Sequence, residues 1–317
     1  MNLGKAAWGY GLIVLIYLAI LLWVDAQKGI CEFLPTILRE LPVLIFLALV
    51  SFGLRYARWF YLLRLAGSHV PVGRGWLAYL SGFAFTATPG KVGELVRIRY
   101  FGRLQVNASL VMSAFVFERA LDLVVVLGLA SLWAVDYKML GMAAAFVSVF
   151  MLTVGWMMLR PDWFDASAGV FAARGWLRIA QLLYFVAEAL KSCRVWLKPL
   201  PLLVSVVLGL GAWSVTAYTF VHLLGTLSLE LPWPAAFSAY PLAMLVGAAS
   251  MLPGGVGSTE AAIVVQLKWQ GVPVATTLLA AVVVRLGTLW FSVFLGFASI
   301  FILSKWQNQK ICRPTAQ

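Results

Sequence analysis

PGKVGELVR at residues 89–97 and PGGVGSTEAAI at residues 253–263 each open on Pro-Gly, set a second glycine three positions after the first, and then reach a glutamate, Glu94 or Glu260. Both lie in apolar surroundings, where neither a helix break nor a charge belongs. Proline lacks an amide hydrogen, and glycine opens backbone angles closed to other residues, so each stretch ends a helix. In hydrocarbon, irregular backbone survives only where protein or a water-filled cavity surrounds it. The segment after each break would begin a new helix, with free amides and a partial positive charge facing that cavity, an arrangement that favours an anion such as phosphate. One such kink is explained by packing alone, since glycine and proline are common in membrane helices. Two at matching places in the two halves point to an inverted repeat with discontinuous helices.

The composition fits that setting. The 317 residues are 62% hydrophobic and 11% charged, with a mean hydropathy of +0.93, which excludes an ordinary soluble domain. Ala6 to Val24 is long enough to span, and no small-residue cleavage site follows it at a suitable distance, so it reads as a retained helix rather than a removed signal. The net charge of +12 does not indicate nucleic acid, because no basic and aromatic cluster occupies a soluble region and lysine and arginine in such chains record topology. Cys31, Cys193 and Cys312 have no metal-ligand or redox spacing.

Six apolar spans are predicted, at Ala6 to Val24, Leu41 to about Ala57, Ser109 to Val135, Met139 to Leu159, Leu200 to Leu227 and Val274 to Ser304. Trp76 to Thr88 and Ala235 to Leu252 each run into a Pro-Gly motif and are followed by a short helical segment, so residues 76–103 and 235–268 read as re-entrant hairpins. With Lys5 and the N-terminus on the cytoplasmic side, the inner regions hold Arg55, Arg58, Arg64, Arg74, Arg97, Arg99 and Arg103, then the basic residues from Arg160 to Lys198, then Lys305, Lys310 and Arg313. Outer loops keep only Lys28, Arg39, Lys138 and Lys268, the asymmetry of the positive-inside rule. If the first hairpin crossed as a single span, Arg97 to Arg103 and the whole basic segment would face outward. The expected fold is therefore an all-α polytopic membrane protein, one domain over residues 1–317, with two opposed hairpins. Residues 160–198 are expected to form a cytoplasmic amphipathic connection, with Trp176, Ile179, Ala180, Leu183, Val186 and Leu190 at helical spacing.

Charges inside the apolar stretches form a second constellation. Glu118, Arg119 and Asp122 fall within one span and Arg285 within the last. Glu118 and Asp122 share a helix face. Ionisable groups at membrane depth are costly unless paired or hydrated, so they face a cavity or one another. One arrangement is a network pairing Arg119 with Glu94 and Arg285 with Glu260. Another is a ring of Lys91, Arg97, Arg119 and Arg285 around a phosphate, which guanidinium binds through paired bonds; the two coexist readily. Arg55, Arg58 and Arg64 are expected at the inner surface among lipid phosphates. His69 and His222 are isolated and read as satisfied or interfacial histidines.

PGKVGELVR, ERALD at residues 118–122, PGGVGSTEAA and the late Arg285 resemble the flippase-like membrane domain of bacterial lysylphosphatidylglycerol synthetase/flippase proteins, in order and spacing over nearly the whole chain. The resemblance implies a transporter-like fold that moves a lipid between leaflets. It gives importance to Pro89, Gly90, Gly93, Glu94, Arg97, Glu118, Arg119, Asp122, Pro253, Gly254, Gly255, Gly257, Glu260 and Arg285. Two-part members carry a soluble aminoacyl-transfer domain after the membrane region, whereas this sequence stops at Gln317, so synthesis of lysylphosphatidylglycerol is not expected.

The expected function is a lipid flippase of a bacterial inner membrane, with both termini cytoplasmic and no enzymatic activity, cofactor, metal or nucleic-acid partner. Its lipid is expected to be anionic or phosphate-linked, either a polyprenyl-phosphate-linked lipid or an aminoacylated or anionic phospholipid. Lys91, Arg97, Arg119, Arg285, Gly90, Gly93, Gly254, Gly255 and Gly257 would surround the head group. Glu94, Glu118, Asp122 and Glu260 would hold the arginines or carry a coupling proton, and Pro89 and Pro253 would set the hairpin breaks. Two competing classes are an embedded enzyme on a lipid phosphate, with Glu118, Asp122 or Glu94 as general base, and a non-transporting partner in glycolipid assembly. No two glycines stand four apart, and Gly209 and Gly211 are too close together for a Gly-x-x-x-Gly dimer face, so the oligomer stays open.

Overall fold

The computed structural model describes residues 34–133 and 137–311, so the predicted first span at Ala6 to Val24 lies outside the described residues. The chain is helical throughout that range, with no strand among the described residues. Helix α1 runs over Leu34–Leu65. A short α2 at Val72–Ser81 leads through a 3-10 turn, Gly82–Phe85, to a second 3-10 segment at Pro89–Val96 and then to α3 at Arg97–Gly102. Next come α4 at Ala108–Ala130, α5 at Tyr137–Leu159, α6 at Pro161–Ala173, α7 at Leu177–Cys193 and α8 at Pro199–Thr226. Helix α9 at Trp233–Ala249 breaks at Pro253–Gly255 and is followed by α10 at Ser258–Trp269. The last crossing joins α11, Val274–Arg285, through a π turn at Leu286–Trp290 to α12, Phe291–Ile311.

Among the described residues, α1, α5, α8 and the α11–α12 unit are apolar and long enough to cross a membrane. Helix α4 has 23 residues, about 35 Å at 1.5 Å per residue, enough to cross as well despite its three charges. The 10 residues of α2 and the 12 of α10 reach only about 15 and 18 Å, roughly half of the ~30 Å hydrocarbon layer. The first hairpin begins and ends at one end of the bundle, where Trp76 and Tyr100 join a single core with Leu62, Leu63 and Trp196. The second begins and ends at the other, where Pro232 and Gln270 line one crevice with Ser131 and Tyr137. The two breaks meet in between: a Cβ on Gly254 would lie 3.2 Å from the Cα of Ala87. Two helical hairpins, each broken at a Pro-Gly motif and entering from opposite ends of the bundle, are therefore part of an all-α polytopic membrane fold.

Two expectations change. Helix α1 does not stop near Ala57 but continues two turns to Leu65, because Trp59, Leu62 and Leu63 are core residues and the bundle carries the helix with them. The segment 160–198 is an antiparallel pair of helices, not one helix on a leaflet. Phe164 of α6 packs against Ala187 and Leu190 of α7, and the Ser113 hydroxyl of α4 donates to the carbonyl of Ala189 at 2.6 Å. Ala180, Ala187, Ala189 and Leu190 are buried against neighbours, while Trp176 and Ile179 of the same stripe stay exposed.

Candidate functional site

The centre of the bundle holds an ion network that only helix pairing could assemble. Arg55 and Arg58, one turn apart on α1, face Glu118 and Asp122, one turn apart on α4. Nη2 of Arg58 lies 3.0 Å from Oε1 of Glu118 and 2.7 Å from Oδ1 of Asp122, and Nη1 of Arg55 lies 3.1 Å from Oδ2 of Asp122. Trp59 Nε1 and the Tyr79 hydroxyl donate to the two oxygens of Glu118 at 2.7 and 3.0 Å. Nη2 of Arg119 sits 3.1 Å from Glu118 and 3.6 Å from Asp122. Arg58 fits because α8 presents Gly209: a Cβ there would come within 2.7 Å of Nη1.

Arg97, from the returning arm of the first hairpin, completes the network. Its Nη1 is 3.0 Å from Glu94 and 3.6 Å from Glu118, its Nε donates to the carbonyl of Tyr79 at 2.8 Å, and its guanidinium lies 4.1 Å over the Tyr79 ring. The other Glu94 oxygen accepts from Thr86 at 2.8 Å. Each carboxylate of the cluster is thus paired, as burial of charge requires. Arg119 is held by Glu118 and Asp122 rather than by Glu94, which Arg97 takes instead, three residues along the same arm. Arg55 and Arg58 are at 8% and 0% exposure, which removes them from the membrane surface where the positive-inside reading placed them.

At the second break, Arg285 acts as a clip. Its Nε donates to Oε1 of Glu260 at 3.0 Å and its Nη2 to the carbonyl of Gly254, an acceptor that the helix break leaves open. Oε2 of Glu260 accepts the amide of Gly257 at 2.7 Å, and the amide of Gly93 donates to Thr88 Oγ1 at 2.7 Å. One amide at each break is thus taken by an oxygen of the chain itself, from a side chain three or five residues away. The π turn begins at the residue after Arg285, a local distortion of the kind found at functional positions.

Between the network and the clip lies a cavity of about 80 Å³, lined by Arg55, Lys91, Glu94, Arg119, Gly254 and Arg285 among others. That is room for several water molecules and far below the ~300–1,000 Å³ of a pocket that encloses a small-molecule ligand. Arg97, Glu118 and Asp122 lie behind its wall and Glu260 behind Arg285. Gly90, Pro253 and Gly257 are exposed; Pro89 opens the 3-10 segment of the first break. Gly93 packs under Phe85, where any Cβ would overlap the Phe85 carbonyl, and Gly255 packs on Gly247. Lys91 has left-handed backbone, φ +57°; its amide donates to the Thr88 carbonyl at 2.9 Å, while its side chain makes neither an ion pair nor a hydrogen bond among the described residues. Sequence reasoning missed the role of Arg55 and also Trp213, whose ring carries the Arg55 guanidinium at 4.3 Å. The signal for Arg55 was its three-residue spacing from Arg58 opposite the four-residue spacing of Glu118 and Asp122. Among the described residues no group of three His, Cys, Asp or Glu side chains could hold a metal.

A family model described as the lysylphosphatidylglycerol synthase TM region matches residues 8–296. No curated protein matches the chain.

Proposed function

The chain belongs to the family of the lysylphosphatidylglycerol synthase transmembrane region, a membrane domain linked to lipid handling, and on that footing we propose that it is a lipid translocase for a phosphate-bearing lipid. The observation that carries the reading is the meeting of two helix breaks at a cavity lined by Lys91, Arg55, Arg119 and Arg285. A phosphate moving through hydrocarbon must exchange water for other donors, and guanidinium and ammonium groups at mid-depth supply them. Glu118 and Asp122 hold Arg119 and Arg55 in place from behind, so those cations are already oriented when the head group arrives. The closed cavity is one state of an alternating cycle in which a hairpin and its partner helices rock apart to admit the head group, while the acyl chains stay in lipid.

Sidedness follows the exposed charges. Arg64, Arg74, Arg99, Arg103, Arg160 and Arg194 are exposed at the end where the first hairpin enters, against Arg39, Lys138 and Lys268 at the other. The basic end is assigned to the cytoplasm and the membrane to the bacterial inner membrane. The test is reconstitution of the full chain in liposomes with head-labelled polyprenyl phosphate, phosphatidylglycerol and aminoacylated phosphatidylglycerol, reading the label that becomes accessible to an outside quencher. Transfer of one class, lost in folded Arg119→Ala and Arg285→Ala proteins, supports translocation. Chemically altered lipid in place of transfer would establish the embedded-enzyme reading.

A further inference from the structure

The cavity has two chemically different sides. On the first, Arg55, Arg58, Lys91, Arg97 and Arg119 face or back onto it against only Glu94, Glu118 and Asp122, while Arg285 and Glu260 cancel. The local balance is positive by two charges, and each of those carboxylates is already paired. Lys91 supplies part of that excess, and among these five cations it is the one whose side chain makes no ion pair or hydrogen bond among the described residues.

The second side carries hydroxyls from α8, α9, the π turn and the start of α12. Thr219 donates to the carbonyl of Val215 at 2.8 Å, Thr288 to Val284 at 2.7 Å and Ser292 to Leu289 at 2.7 Å. With Thr288's hydrogen committed, the Tyr240 hydroxyl 2.9 Å away donates to it. With their hydrogens spent on main-chain carbonyls, Thr219 and Ser292 at the cavity wall keep only acceptor capacity, so this wall accepts hydrogen bonds while the opposite wall donates them. The Trp213 Nε1–H between them is buried without a partner among the described residues.

We infer that the cargo is an anionic lipid whose head group carries hydroxyls and no positive charge, and that the lysylated lipid in the family's name is excluded from this chain. The inference rests on the translocase reading. A phosphate ester of a polyol matches donors on one wall and acceptors on the other. A lysyl ester brings two ammonium groups into a positive site with no free carboxylate, and like charges brought together suppress the wrong partner.

The test uses the full chain in vesicles with acyl-chain-labelled phosphatidylglycerol, lysylphosphatidylglycerol or phosphatidic acid, followed by quenching of the outer leaflet. Phosphatidylglycerol is expected to move at least about tenfold faster than its lysylated form, and faster than phosphatidic acid, which lacks a head-group hydroxyl. Lys91→Glu should slow phosphatidylglycerol and speed the lysylated lipid. Lys91→Asn, a residue that left-handed backbone accepts, should slow phosphatidylglycerol and guards against misfolding of the first variant. Equal rates for the lysylated and unlysylated lipids in the unaltered protein overturn the charge selection and leave translocation standing. Equal rates for phosphatidic acid and phosphatidylglycerol overturn the hydroxyl part. Movement of none of the three overturns this inference, and the translocase reading falls with it only if polyprenyl phosphate also stays in its leaflet.

Discussion

Replacing Arg58 by alanine tests whether the buried network holds the bundle together. One nitrogen of Arg58 serves both Glu118 and Asp122, at 3.0 and 2.7 Å, and its side chain has 0% exposure, so no solvent can enter to replace it. Removing one member of a buried ion pair costs about 3–5 kcal/mol. Here Glu118 keeps Trp59, Tyr79 and Arg119, and Asp122 keeps Arg55, so we expect the lower end, about 3 kcal/mol, or roughly a hundredfold in the folding equilibrium. The assay is SDS-induced unfolding in mixed micelles, followed by tryptophan fluorescence. Arg64→Ala, an exposed arginine of the same helix, is the control and should leave the midpoint unchanged. Pairing Arg58→Ala with Asp122→Asn should cost less than the two singles together, because the second change removes the charge the first one strands. An Arg58→Ala midpoint equal to that of Arg64→Ala would refute the argument that helix α1 is fixed by its charges.

Three further outcomes follow from local geometry. Gly254→Ala should destabilise by about 1–2 kcal/mol from its left-handed backbone alone and slow transport further, because its methyl meets Ala87 at 3.2 Å; transport and unfolding measured on the same preparation separate the two effects. Gly209→Ala should cost about 1–3 kcal/mol by overpacking Arg58 and cost little in an Arg58→Ala background, which a double-mutant unfolding cycle reads directly. Burial pushes the Cys193 thiol up to about 12, so at pH 8 it stays protonated. In a background with Cys31 and Cys312 replaced by serine, maleimide should label it about three orders of magnitude more slowly than an exposed thiol of ordinary pKa, and unfolding in SDS should restore the rate.

The spans among the described residues and both breaks were legible in the sequence because they rest on local causes: apolar run length, and proline and glycine where a helix cannot continue. The Arg285 and Glu260 pair was legible for a related reason, each being a lone charge in an apolar stretch of the same half. What was hidden depends on tertiary pairing. Arg55 and Arg58 look like interfacial arginines until α1 is known to run to Leu65 and to lie beside α4. Counting them as surface charge gave the right asymmetry with wrong members, for Arg97 is buried too, and the exposed arginines alone carry the bias. The partner of Arg119 was also out of reach, because Glu94 and Glu118 are equally plausible until the Arg97 arm folds back and claims Glu94. The paired helices at 160–198 share an amphipathic pattern with a surface helix, and periodicity does not say whether lipid or protein covers the apolar face.

The meeting of the two breaks at Gly254 and Ala87 has an electrical consequence. Should water reach both faces of that contact during the proposed cycle, the transmembrane voltage would fall mainly across the layer the contact closes. For the proposed cargo, one negative charge passing the glycine performs nearly all its electrical work in that single step, about 2.3 kcal/mol for each 100 mV. A membrane potential negative inside would thereby bias an anionic head group towards the outer leaflet.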